Sequence, residues 1–180
     1  GKIVVKTQRG INLYDDSHFR FLPLNPKEAQ EIRGYKGQSH LYVDGKSRLW
    51  VKDYQEVYAI DLHSFRLISH PLDSLASQSI EDVFVDSKHD VWVIMNHTSN
   101  PTANKTLVNP QSQLHLALNP VWGELQDMDV DDSHVYAFCA KGVMAAYSMD
   151  GKLAYVQHAY GKNDIEKYAA TSLVVKTPGG

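Results

Sequence analysis

A short phrase recurs along the chain at nearly constant spacing, and that recurrence limits the folds open to it. Leu41-Tyr-Val-Asp-Gly-Lys-Ser-Arg-Leu-Trp-Val51 is matched by Val83-Phe-Val-Asp-Ser-Lys-His-Asp-Val-Trp-Val93. Both read as an apolar-aromatic-Val-Asp strand end, four turn residues, then an apolar-Trp-Val strand. A third copy, Met128-Asp-Val-Asp-Asp-Ser-His-Val-Tyr-Ala137, is one residue shorter in the turn. The aromatic anchors Trp50, Trp92 and Tyr136 stand 42 and 44 positions apart. The chain start supplies the rear part of another copy. Ile3-Val-Val-Lys-Thr-Gln-Arg-Gly-Ile-Asn-Leu-Tyr-Asp15 lies over Leu49-Trp-Val-Lys-Asp-Tyr-Gln-Glu-Val-Tyr-Ala-Ile-Asp61 without a gap, at a shift of 46. The same register carries Phe19-Arg-Phe-Leu22 onto Phe65-Arg-Leu-Ile68. Such periods mark an array of similar units.

Each unit parses into four short strands. In the copy around Trp50 they fall near 39–43, 49–52, 57–61 and 65–68, separated by Asp-Gly and Asp-Leu-His-Ser turns that suit antiparallel hairpins. Period-2 alternation, as in Val83 and Val85 against Asp82 and Phe84, gives every strand two distinct faces. A lone four-stranded meander cannot bury both, so it must stack on its neighbours. An all-β fold follows, a β-propeller of about four four-stranded antiparallel blades. It is either a closed four-bladed ring or a fragment of a larger, seven-bladed type. Residues 1–180 make one domain, with blades at about 1–36, 37–77, 78–124 and 125–170. Leu173-Val-Val175 repeats the pattern of Leu41-Tyr-Val43, so either 171–180 completes the first blade or a boundary happens to fall in this turn. The first reading would join a blade from both termini and cover two strand edges. The polar run between Val93 and Leu107 reads as an extended loop. Connectors 23–38 and 157–171 are long, and within them 26–33 and 163–168 suit one or two helical turns.

Composition narrows the function. The 180 residues are 43% apolar and 22% charged, which fits a cored protein rather than disorder. A formal charge of -3 without a long basic run argues against nucleic-acid binding. The six apolar residues from Val135 to Ala140 fall far short of the roughly 20 that span a bilayer. No apolar h-region follows the opening Gly-Lys-Ile-Val-Val-Lys-Thr, so any export signal or anchor is expected outside this segment, which itself makes no membrane contact. The single cysteine, Cys139, rules out an intrachain disulfide and a Cys-based zinc site. It follows an apolar strand and reads as packing. The sequons at Asn96 and Asn104 matter only in a eukaryotic secretory setting.

The repeat resembles the bacterial two-component regulator propeller. The phrase Asp86-Ser-Lys-His-Asp-Val-Trp-Val93, an apolar-Tyr-Asp strand such as Ile11-Asn-Leu-Tyr-Asp15 and a short Phe-containing strand carry the likeness. In that family the repeat reads apolar-x-Asp-x-x-Gly-x-Leu-Trp-Ile-Gly-Thr, then Gly-Leu-x-x-Tyr-Asp; Thr7-Gln-Arg-Gly-Ile11 is the nearest local match to its central part. Gly is missing before Thr7, Glu56 stands where Gly10 stands in the first copy, and the copy around Trp92 has no Tyr-Asp pair. The resemblance implies a seven-bladed ring in the periplasm of Bacteroides-like bacteria. It would be the sensory part of a hybrid histidine kinase regulator, often responding to glycan fragments.

No catalytic constellation is evident. The nine histidines show no ligand spacing and fall in or beside turns. The run Asp127-Met-Asp-Val-Asp-Asp132 lacks the Gly and distal Glu of a calcium loop, and its alternation marks a strand instead. No nucleophile elbow, P-loop or dinucleotide fingerprint occurs, and neither a cofactor nor a metal is expected. Trp50, Trp92 and Tyr136 occupy equivalent positions and are expected between blades. Loops after the second strand and loops between blades share one face, where function would sit. On that face the candidates for a ligand site are Arg9, Tyr54, Gln55, Asn96, His97, Trp122, Lys141 and Tyr160. Aromatic rings beside amides and cations suit oligosaccharides. The expectation is therefore a non-enzymatic, extracytoplasmic ligand-binding segment of a sensor, with a protein-interaction scaffold as the alternative and a propeller hydrolase or lyase behind it. If the ring is open, a homodimer through the propeller edges is expected.

Overall fold

The computed structural model describes residues 2–7, 10–15, 18–23, 41–53, 56–68, 72, 80–95 and 105–158. These form four antiparallel meanders in chain order. The first contains β1 (Lys2–Thr7), β2 (Gly10–Asp15) and β3 (His18–Pro23). The second contains β4 (Leu41–Val43), β5 (Arg48–Asp53), β6 (Glu56–Asp61) and β7 (Arg66–Leu67). The third runs through β8 (Ile80–Val85), β9 (Val91–Met95), β10 (Lys105–Asn109) and β11 (Leu114–Leu118). The fourth comprises β12 (Leu125–Val130), β13 (His134–Cys139), β14 (Val143–Ser148) and β15 (Leu153–His158). The segment 171–180, the proposed helical turns at 26–33 and 163–168, and most of the long loop lie outside the described residues. That loop is shorter than the sequence suggests. Ile94 and Met95 prolong β9, and Lys105 and Thr106 begin β10, because Met95 pairs with Thr106 and Ile94 with Leu107.

The Asp of the repeated phrase has a structural task. Asp44 Oδ1 accepts from the backbone N–H of Lys46 and Arg48, both at 2.9 Å, and Oδ2 accepts from the Trp50 indole at 2.9 Å. Asp86 repeats this with Lys88, Asp90 and Trp92 at 2.9, 2.9 and 2.8 Å. Asp131 does so with Ser133, His134 and the Tyr136 hydroxyl, at 2.7, 2.7 and 2.6 Å. Each carboxylate thus ties its turn to the aromatic side chain of the next strand. The left-handed position of the first two turns is not Gly45 but Ser47 (φ 58°) and His89 (φ 66°). The clasp holds non-glycine residues in a region they rarely adopt.

The gapless alignment to the second sheet holds to Asp61 and then slips. In the first sheet Asp15 pairs with His18 across a two-residue turn, whereas Asp61 pairs with Arg66 across a four-residue turn. The structural counterpart of Phe19 is therefore Leu67, not Phe65. Phe65 lies in the turn with φ 54° and is buried beside Leu62 in the core. A slip of two preserves which face each side chain occupies.

Three apolar layers join the sheets. Ile11 and Leu13 meet Leu49, Val51 and Ile60 between the first and second. Trp50 and Ala59 meet Val83, Val91, Val93 and Val108 between the second and third. Trp92, Leu107 and Leu116 meet Val135, Ala137, Ala145 and Tyr147 between the third and fourth. The Tyr147 hydroxyl also donates to the Ala117 carbonyl at 2.7 Å. Trp50 and Trp92, at 0% and 2% exposure, do lie between sheets. Tyr136, their counterpart on the last sheet, is half-buried.

Candidate functional site

Strands β4, β8 and β12 each head their sheet and pack beside one another, which places them along the central axis. In an antiparallel meander, alternate hairpins fall on opposite rims. One rim carries the Asp turns, chained across sheets: Gly45 N–H donates to the His89 carbonyl at 3.1 Å and Ser87 N–H to Asp129 Oδ1 at 3.0 Å. Lys88 Nζ reaches the Asp131 carbonyl and Asp132 Oδ1, both at 3.0 Å. At the other rim, among the described residues, stand the connector 119–124 and the turn 140–142 between β13 and β14.

That connector rim is where the eight sequence candidates were placed. Arg9, Tyr54, Gln55, Asn96, His97 and Tyr160 lie outside the described residues. Trp122 and Lys141 are neighbours. Pro120–Trp122 form a single 3-10 turn capped by the Asn119 side chain. Lys141 N–H donates to the Trp122 carbonyl at 3.2 Å, and Ala140 N–H to the Glu124 carbonyl at 2.8 Å. Gly123 (φ 82°) makes the approach close, since a Cβ there would stand 3.3 Å from Ala140 Cβ and 3.4 Å from Lys141 Cγ. Lys141 is exposed. The Trp122 indole is 9% exposed and packs with the core between the third and fourth sheets. A stacking platform needs an open ring face, and here that face is packed.

The axial strands bring together a polar group that turn-based reasoning missed. Tyr42 on β4 lies near Asp82 on β8 and Asp127 on β12. Burial first, then these two carboxylates, raise its pKa well above the usual tyrosine value, so its hydroxyl stays protonated at any ordinary pH. Its ring also meets Phe84, with centroids 6.0 Å apart. At the connector end of β8, Lys105 pairs with the Glu81 carboxylate and Lys52 donates to the Glu81 carbonyl. Glu81 Oε2 is buried without a hydrogen-bond partner among the described residues. The signal for this group was present in the sequence: Tyr42, Asp82 and Asp127 stand at the head of successive repeats. What the sequence lacked was the convergence of those heads on one axis. Among the described residues no three His, Cys, Asp or Glu side chains are grouped to hold a metal ion.

Meanders stacked face to face, with their first strands on a common axis, define a segment of a β-propeller. The solved structures it is similar to are consistent with that class. The extracellular domain of the hybrid two-component system BT4673 from B. thetaiotaomicron is 14% identical with a TM-score of 0.53, covering 97% of this chain and 23% of that one. The corresponding domain of BT3049, from the same organism, is 14% identical with a TM-score of 0.51, covering 85% and 21%. BBS1N in complex with ARL6DN gives 12% identity and a TM-score of 0.52, covering 87% and 49%. The chain spans about a fifth of the length of the two receptor domains, and the likeness is one of fold. No protein-family model and no curated protein matches the sequence. Among the described residues no helix is long and apolar enough to cross a membrane.

Proposed function

We propose that this chain is a ligand-binding propeller segment of an extracytoplasmic, periplasmic sensor in a two-component signalling receptor, and that it responds to glycan fragments. The observation that carries the reading is the polar group at the connector end of the axis. It comprises the Glu81–Lys105 pair on one hand, and Tyr42 with the Asp82 and Asp127 carboxylates near it on the other. Donors and acceptors of both kinds on a rigid sheet framework suit a hydroxyl-rich ligand, which presents both in return. Similarity in fold to extracellular domains of two-component systems supports the setting.

The segment binds rather than catalyses in this reading. Its one thiol, Cys139, is 3% exposed, and burial pushes its pKa up to about 11. A thiol so held is a packing group, not a nucleophile. Calorimetric titration with a panel of glycan fragments tests the proposal. Measurable heat with at least one fragment, weakened about tenfold by Glu81→Ala or Lys105→Ala, is expected. Absence of binding across the panel by the folded chain would sink it.

A further inference from the structure

Two irregularities recur at one place in the repeat. Ile80-Glu-Asp-Val83 and Leu125-Gln-Asp-Met128 stand 45 residues apart, each at the start of a strand on the axis. In β8 the pairing to β9 steps from Ile80 opposite Met95 to Asp82 opposite Ile94, which leaves Glu81 as an extra residue. In β12 it steps from Leu125 opposite Cys139 to Asp127 opposite Phe138, which leaves Gln126 as the extra one. Both are β-bulges, a device that re-aims side chains and gathers beside functional sites.

The packing shows what each bulge does. Strict alternation would turn Ile80 away from Val83 and Leu125 away from Met128. Instead Ile80 packs in the layer with Val83 and Val85, and Leu125 in the layer with Met128 and Val130. The residue between is thereby released from alternation. The following carboxylate folds back identically in both strands: Asp82 Oδ1 accepts from the Val83 N–H and Asp127 Oδ1 from the Met128 N–H, each at 2.8 Å. Glu81 and Gln126 are both half-buried and have equal reach, one ending in a carboxylate and the other in an amide.

Glu81 is held from two sheets. Lys105 on β10 pairs with Oε1, and Lys52 on β5 donates to its backbone carbonyl. Its Oε2 is shielded from solvent and accepts from no group among the described residues. Both lysines are engaged by Glu81, so the remaining oxygen calls for a donor rather than a second anion. A ligand hydroxyl can supply that donor; a carboxylate or sulfate cannot, and leaves the acceptor unmet.

We propose that the two bulges serve the ligand site rather than the sheet. Glu81 and Gln126 are its repeat-matched specificity-determining side chains, and Glu81 selects a sugar presenting a hydroxyl over one presenting a carboxylate or sulfate. This rests on the glycan-binding reading above and names the class of glycan it admits.

Calorimetric titration with uncharged oligosaccharides and with their uronate-bearing counterparts tests it. The unaltered chain is expected to bind an uncharged fragment at least tenfold more tightly than its uronate counterpart. Glu81→Gln, whose amide can donate, is expected to narrow that gap. Gln126→Ala is expected to weaken the uncharged fragment about tenfold. Deleting Gln126 joins Leu125 to Asp127, whose partners Cys139 and Phe138 are already adjacent, so the ladder becomes regular. That variant is expected to keep the thermal midpoint of the parent and to lose binding like Gln126→Ala. Uncharged binding unchanged by Gln126→Ala would overturn the inference, as would equal affinity for the uronate counterpart or a deletion variant that unfolds. In each of those cases the glycan site itself still stands. Absence of heat with every fragment by the unaltered chain would overturn both.

Discussion

Asp44 shows how much a single buried carboxylate can organise. Its residue is 5% exposed, and besides the two turn amides and the Trp50 indole it accepts from the Arg48 guanidinium at 2.6 Å. Burial alone would raise its pKa. The donors, led by the Trp50 indole, outweigh that and hold it below the ordinary carboxylate range. Asp44→Ala leaves the buried indole N–H without an acceptor. It is expected to destabilise the fold by about 2–3 kcal/mol, read from urea unfolding midpoints at unchanged slope. The pH dependence follows from the direction of the shift. The unfolded carboxyl titrates near 3.9, above the folded value, so between the two the unfolded chain binds more protons. Stability is then fully present above about pH 5 and is lost as the pH falls through the folded pKa. Asp131, held down first by the Tyr136 hydroxyl, and Asp150, brought to about 2 by Lys152 and Ser148, act in the same direction. Thermal midpoints recorded from about pH 6 down to about pH 2.5 are expected to fall, less steeply in Asp44→Asn.

Hairpin chemistry was partly legible in the sequence. The recurrence of Asp followed by Trp six residues later placed the turns at 44–47 and 86–89 and the strands on either side. It did not reveal that the Asp accepts from the Trp, because a one-dimensional pattern does not show which side chain folds back on which turn. Nor did it separate Phe65 from Phe19: identical letters at an identical shift conceal a turn of four residues against one of two. Gly10 was seen only as a loose match to a family glycine, whereas the structure gives it a steric reason. Its φ is 150°, and a Cβ there would stand 2.1 Å from the Leu22 carbonyl oxygen and 2.9 Å from Pro23 Cα. Both obstacles are backbone, so they cannot swing aside. Gly10→Ala is expected to cost about 3 kcal/mol or more and to spread β2 from β3, visible as lost amide protection in those strands.

Across the whole molecule, stability belongs to layers between sheets rather than to any one sheet. Sheets flanked on both sides are expected to open last, and end sheets with an open face first, as in other stacked repeats. Native-state hydrogen exchange is expected to show the highest protection in β9, where all five residues are buried, and lower protection in β3 and β15, whose side chains are largely exposed. Equal protection in all four sheets would mean that the end faces are covered in solution. The axial polar group belongs to this scale as well, since Tyr42, Asp82 and Asp127 come from three separate sheets.

What the sequence determined was the unit and its multiplicity. Alternation fixes two faces per strand, and a recurring Asp-turn-aromatic phrase fixes where each meander begins, because both are local in the chain. What only the tertiary structure decided was the set of neighbours each unit acquires. Trp122 turns into the core while Lys141 beside it remains exposed, and three strand heads meet at one axis. Ile3 is exposed where its counterpart Leu49 is buried. The same pattern has opposite fates because burial depends on what stacks against a face, and stacking partners are distant in sequence.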